Sequence, residues 1–305
     1  MREIEALPLL TTVVGSYPTS GLPPRRAIQR AVEEQIAAGI ELISDGQPRG
    51  DMVGVFAGRI PGFRHAPDGV WEVTDALDLP DAPLLGNDYT FARGLAGGRA
   101  EVKGVVTGPI TLALSSRVAP GAPYTGPADP ALILRLAELL GHEVAALVAA
   151  GARVVQIDEP LLSAALGGAI SAELAHDALR DLAALPAFPV LHVCGDVRAI
   201  AEELLILPFA ALDIENTRIA NLAAFDPDQL DFATLTLSVG VVDTQDAAVE
   251  SVSAIRDRIQ AALERIEPER LWLSPDCGLH ALPPDAARAK LAHLAEAVND
   301  LRATL

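Results

Sequence analysis

The chain has 305 residues, half of them apolar, with a formal net charge of −18 at pH 7 and a pI near 4.6. A chain of this length can bury a large core and suits one barrel-sized domain better than two small ones. The acidic balance argues against a nucleic-acid partner and against an anionic membrane surface.

Taken in order, short β-like runs alternate with longer helical ones. Thr11 to Ser16 is β-branched and ends at Gly15-Ser16-Tyr17-Pro18, so it reads as a first strand. Pro23 and Pro24 open a helix that Gly39 stops. Ile40 to Ser44 is a second strand, ending in Asp45-Gly46. The pattern weakens between residues 57 and 100, which read as an insertion within a single 1–305 domain. Val102 to Thr107 is a third strand, and Pro130 to Ala150 is a strong helix with a Gly151 cap. Val154 to Ile157 is a fourth strand, followed by a helix near 171–185 and a fifth strand that runs into His192-Val193-Cys194. A helix to about Leu205 leads to a sixth strand, Ala211 to Glu215, and to a short helix near 227–231. Thr236 to Val242 is a seventh strand, and the helix 246–266 precedes an eighth, Leu271 to Ser274. A last helix starts near Pro284. Eight strands, each followed by a crossover, predict an α/β fold, a (β/α)8 TIM barrel; an open doubly wound sheet is disfavoured because no Gly-x-Gly-x-x-Gly follows the first strand.

Chemistry in such barrels sits at the C-terminal ends of the strands. In a strand, residues i and i+2 share a face, so His192 and Cys194 project side by side. On its own this pair reads equally as two buried core residues. Cys277, the second of the two cysteines, falls at the end of the eighth strand, at the same rim. With Glu215 at the end of the sixth strand, the set offers N, S, O and S donors, a combination that selects zinc over magnesium or calcium. Two cysteines do not make a disulfide framework, which points to a reducing compartment. No window reaches the roughly 18 uninterrupted apolar residues of a membrane span, and Met1 to Leu10 does not read as a signal peptide. The expected location is the cytoplasm.

The strand-end motifs occur together and in order: Val14-Gly15-Ser16-Tyr17-Pro18, Asp45-Gly46-Gln47, Val106-Thr107-Gly108-Pro109 and Gln156-Ile157-Asp158-Glu159-Pro160. His192-Val193-Cys194, Asp213-Ile214-Glu215, Gly240-Val241-Val242-Asp243 and Ser274-Pro275-Asp276-Cys277-Gly278-Leu279 follow. In these the chain resembles, over its whole length, the catalytic C-terminal barrel of cobalamin-independent methionine synthase. The resemblance implies transfer of a methyl group to the thiol of homocysteine, with zinc held by His192, Cys194, Glu215 and Cys277. It implies that Ser16 and Asp158 hold the carboxylate and amine of homocysteine, with Gln47 and Thr107 beside the substrate. Asp158, Glu159 and Asp243 are the implied catalytic side chains.

Two departures from the folate-using enzyme bear on the methyl donor. That enzyme places a histidine, a proton donor, after the motif that ends here at Asp243, where this chain has Thr244-Gln245. Its acidic, Trp-containing segment after Thr-Gly-Pro has no counterpart in Leu112 to Val118. Losing a general acid costs typically ~10²–10⁴ in rate, and a methyl-corrinoid needs no proton. The expected donor is therefore methylcobalamin on a corrinoid carrier protein, as in short single-barrel members of the family. The alternatives are a methyltetrahydrofolate donor, a coenzyme M-type zinc–thiol alkyltransferase, and a non-catalytic binding barrel. His142, His176 and His293 lie in helical stretches and read as packing or surface residues; His280 reads as a loop residue just after Gly278-Leu279, with the mouth of the barrel as its alternative place.

Overall fold

The computed structural model describes residues 7–225 and 235–305; the short helix expected at 227–231 lies outside them. In chain order the elements begin with β1 (Leu10–Thr11), α1 (Pro24–Ala37), β2 (Leu42–Ile43), α2 (Gly54–Ala57), β3 (Phe63–His65), β4 (Trp71–Val73) and α3 (Gly86–Ala96). Next come β5 (Glu101–Val102), β6 (Gly104–Thr107), α4 (Pro109–Leu114), β7 (Arg117–Val118), α5 (Pro130–Ala149), β8 (Val154–Asp158), α6 (Leu162–Ala165) and α7 (Ala172–Ala183). The rest are β9 (Phe188–Val193), α8 (Ala201–Leu205), β10 (Ala211–Ile214), β11 (Thr236–Val242), α9 (Val252–Leu263), β12 (Leu271–Pro275) and α10 (Pro284–Arg302). No helix of the described residues is long and apolar enough to cross a membrane.

Seven of the strands form one parallel sheet in the order β1-β12-β11-β10-β9-β8-β6. β2 pairs with β5 in a separate two-stranded sheet, and a single bridge, Thr12 to Leu42, ties β2 to the end of β1. The result is a curled parallel sheet with helices outside it, which resembles a distorted (β/α)8 barrel. The expected first and second strands shrink to two paired residues each, because Val13 to Ser16 leave the ladder to form the rim. Helix 246–266 likewise starts later, at Val252, where Ser251 caps it by accepting from the Ala254 N–H.

Residues 57–100 contain the β3–β4 hairpin and α3. α3 packs on α1 and α5, the position of an ordinary crossover helix between β2 and β5. β7, beyond that segment, joins the hairpin as a third strand.

The strands look continuously apolar in sequence, yet their two faces differ. Val155, Ile157, Leu191, Val193, Leu212, Ile214, Leu237 and Val239 belong to the large core shared with the helices. The alternate residues turn inward. At the N-terminal end these are Leu10, Leu42, Val154, Val190, Ala211 and Trp272, a separate apolar plug drawn from six strands. Two residues further along each strand the inward positions become polar. Register places Thr107, Asp158, His192, Asp213 and Ser238 on one transverse rung, each opposite the next. That rung is the floor of the site.

Candidate metal centre and substrate pocket

β9 carries His192 inward, and Cys194 follows two residues on, just past the strand end. Cys277 lies two residues past β12. The curl of the sheet brings these ends together although two strands separate β9 from β12. His192 Nε2 is 3.0 Å from Cys194 Sγ, and the two sulfurs are 3.4 Å apart, far beyond a disulfide bond. Among the described residues these three side chains form a group whose donor atoms all lie within 4.8 Å of one another.

The surroundings suit a cation. His192 Nδ1 is 2.7 Å from Asp213 Oδ1, so the carboxylate accepts a hydrogen bond from Nδ1–H and turns Nε2 toward the thiols. Asp213 is itself held by the Ser238 hydroxyl, which stands 3.3 Å from that of Ser274. A tetrahedral zinc with sulfur ligands at 2.3 Å spaces the two sulfurs by about 3.8 Å, close to what is seen. Burial opposes a charge on His192, but the adjacent Cys194 and the hydrogen bonds to Asp213 and the thiols outweigh it and raise the imidazole well above its ordinary value. The hydrogen bond between the cysteines lowers the Cys277 thiol and raises that of Cys194.

Glu215 is not in that group of three. It follows β10, is 7 % exposed, and accepts a hydrogen bond from the Gly195 N–H. Burial raises its carboxyl, and the charges of Asp276 and Cys277 add to the effect. The loop that carries it is stitched down by two residues that sequence reasoning gave no role. Buried Asn221 donates to the carbonyls of Gly195 and Glu215 at 2.8 Å each. Asp276 accepts from the Asn216 and Thr217 N–H groups at 2.8 and 3.0 Å, locking the β10 loop to the residue beside Cys277.

The expected substrate residues surround this cluster. Asp158 closes β8 on the same rung as His192, and Gln156 Nε2 donates to its Oδ1 at 2.6 Å. Burial pushes the Asp158 carboxyl up to about 6, against the opposing pull of His192 and the Gln156 hydrogen bond. Ser16 Oγ lies 3.0 Å from His280 Nδ1, and its carbonyl accepts from the Leu279 N–H, which ties the Ser16 rim to the Cys277 loop. Thr107 spends its hydroxyl on the Met52 carbonyl at 2.7 Å. Gln47 has a φ of 50°, the left-handed region in which non-glycine residues are uncommon. Its amide fills the space where a Cβ on Gly15 would stand.

Glu159 and Asp243 are each already engaged. Glu159 is fully buried and accepts from the Ile110 and Thr111 N–H groups at 2.9 and 2.7 Å, at the N-terminus of α4. Burial pushes it up to about 7 despite those bonds. Asp243 is paired with Arg218 at 2.8 Å and also accepts from the Gln245 N–H. Burial opposes its ionisation, but Arg218 wins and holds the carboxyl below the usual range.

A family model described as "Cobalamin-independent synthase, Catalytic domain" matches residues 20–300. A methionine synthase of Methanothermobacter marburgensis is 34% identical, over 96% of this chain and 100% of that protein. A 5-methyltetrahydropteroyltriglutamate–homocysteine methyltransferase of Nitratidesulfovibrio vulgaris is 31% identical, over 91% of this chain and 37% of that one. In fold, the chain is similar to a B12-independent methionine synthase from Shewanella sp. W3-18-1 solved with selenomethionine, with a TM-score of 0.79, 20% identity and coverage of 98% and 100%.

These findings correct the expected donor. Methylcobalamin and a corrinoid carrier protein do not fit a family that is cobalamin-independent. The expectation rested on Thr244-Gln245 standing where a proton donor belongs and on the missing acidic, Trp-containing segment at Leu112 to Val118. A missing acid at one loop position does not determine the donor, because a proton can reach it from another group at the rim. The chain belongs to the cobalamin-independent methionine synthase family, as a methyltransferase that corresponds to its catalytic domain.

Proposed function

We propose that the chain transfers a methyl group from a methylated reduced folate to the thiol of homocysteine, forming methionine, at a zinc site made by His192, Cys194, Cys277 and Glu215. The observation that carries the reading is the group of His192, Cys194 and Cys277, whose donor atoms lie within 4.8 Å of one another, with Asp213 behind the imidazole. The donor follows from the family and from the name of the Nitratidesulfovibrio relative. Bound zinc would supply Lewis acidity, which keeps a thiol in its nucleophilic thiolate form at neutral pH.

The protein's own residues bind and align. Asp213 fixes the tautomer of His192. Asp158, beside the cluster on the same rung, is the seat for the substrate ammonium, and Ser16 with the loop of Cys277 receives the carboxylate. Gln47 shapes the wall beside them, and Thr107 lies on the floor next to Asp158. Glu159 acts through α4, whose first N–H groups it gathers, and thereby sets the position of Asp158 next to it. Asp243, held by Arg218, stands at the rim on the donor side. Fixing both reactants in line supplies most of what such a displacement needs. In this reading the curled parallel sheet is the body of a (β/α)8 barrel in a single domain, with residues 57–100 inserted, and two thiols kept as ligands suit a reducing, cytoplasmic setting.

The test is methionine formation by the zinc-loaded protein from homocysteine and methyltetrahydrofolate, in monoglutamyl and triglutamyl forms. Turnover with a folate supports the reading. No methionine with either form, from protein that retains zinc, overturns the donor.

A further inference from the structure

Beneath the rung of Asp158 and His192 lies a charge that neither the metal site nor the proposed reaction uses. Lys103 interrupts the strand path between β5 and β6 and turns into the sheet interior, where it is 2% exposed. Its ammonium has three donors and three acceptors around it: the Val13 carbonyl, Gln156 Oε1 at 2.5 Å and Thr12 Oγ1 at 3.3 Å.

An ammonium has no lone pair, so the Gln156 amide can face it only with its oxygen. The amide nitrogen must then point up the strand, and both of its protons are used. One goes to the Val14 carbonyl at 2.8 Å and the other to Asp158 Oδ1 at 2.6 Å. The side-chain hydrogen bond of Asp158 thus falls on Oδ1, which leaves Oδ2 for a ligand.

We propose that Lys103 is a positioning residue for the amino-acid substrate: by fixing which end of the Gln156 amide faces Asp158, it holds that carboxylate with one oxygen tethered and the other presented to the substrate ammonium. This rests on the assignment of Asp158 to the ammonium. An uncharged residue at 103 removes the partner that anchors the oxygen end of the Gln156 amide, which is then held at its nitrogen end alone. The tether on Asp158 Oδ1 would loosen, and the seat would lose its fixed orientation.

The test measures binding of L-methionine and of 4-(methylthio)butanoate, the same molecule without the amine, to the zinc-loaded protein by calorimetry. Wild type should prefer methionine. Lys103→Met should lower methionine affinity by about tenfold or more, the scale of a hydrogen bond to a charged group, and leave the affinity for the deaminated analogue unchanged. Gln156→Met, which keeps Lys103 and two of its three acceptors, should do the same and covers the case in which Lys103→Met does not fold. Retention of the wild-type preference in the folded variants, or equal loss of both ligands, overturns the inference. Asp158→Asn distinguishes the two layers. If it also keeps the preference, the assignment of Asp158 falls with the inference; if it abolishes the preference while the other two variants keep it, only the role of Lys103 falls.

Discussion

His192 Nδ1 and Asp213 Oδ1 stand 2.7 Å apart because β9 and β10 pair in a register that sets these two residues directly opposite each other. The pair converts strand pairing into metal chemistry: the ladder fixes the carboxylate, the carboxylate fixes the imidazole tautomer, and the tautomer frees Nε2. Asp213→Asn should therefore weaken zinc binding about 10–100-fold, the usual cost of losing such a partner. Competition with a chromophoric chelator measures it. Unchanged affinity would show that Asp213 serves only the fold.

Cys277→Ser should lose both bound zinc and turnover, because a serine hydroxyl does not ionise near neutral pH and is a poor zinc ligand. Metal analysis after dialysis, beside a methionine-formation assay, checks both. A variant that keeps zinc and activity would remove Cys277 from the site.

Glu159 makes stability depend on pH. Its folded value of about 7 lies above the ordinary 4.5, so ionisation costs more in the folded state than in the unfolded one. Its contribution is complete below pH 4.5 and declines as pH rises through 7, by up to about 3 kcal/mol. In Glu159→Gln that share of the decline should disappear. Urea unfolding at intervals from pH 4.5 to 7.5 reads the difference in slope, and identical slopes would contradict the burial argument.

Gly278 allows the Cys277 loop to lie against Ser16: a Cβ at position 278 would stand 2.0 Å from the Ser16 hydroxyl. Gly278→Ala should push Ser16 out of line with His280 and raise the KM for homocysteine several-fold. The melting temperature should shift by no more than a few degrees, since the clash is with a rim side chain and not with the core. A KM equal to wild type would separate Ser16 from the substrate.

Much of this arrangement was legible in the sequence. The i, i+2 spacing of His192 and Cys194 and the strand-end position of Cys277 brought the three donors to one rim, as the structure does. What escaped was the inner face of the sheet. Lys103, Gln156, Asp213 and Ser238 sit inside apolar runs, and a chain read for hydrophobic periodicity treats such residues as exceptions, not as a layer. Their meaning comes from register across five strands, and register depends on pairing partners that no local window contains. The expected methyl donor failed for a related reason: two short segments, Thr244-Gln245 and Leu112 to Val118, do not decide a property of the whole rim.

Zinc K-edge X-ray absorption on the zinc-loaded protein, with and without homocysteine, tests the central claim most directly. The account predicts two sulfur neighbours near ~2.3 Å in the resting protein, from Cys194 and Cys277, and a third when homocysteine is added. A first shell of nitrogen and oxygen alone, or a sulfur count that homocysteine leaves unchanged, would contradict it.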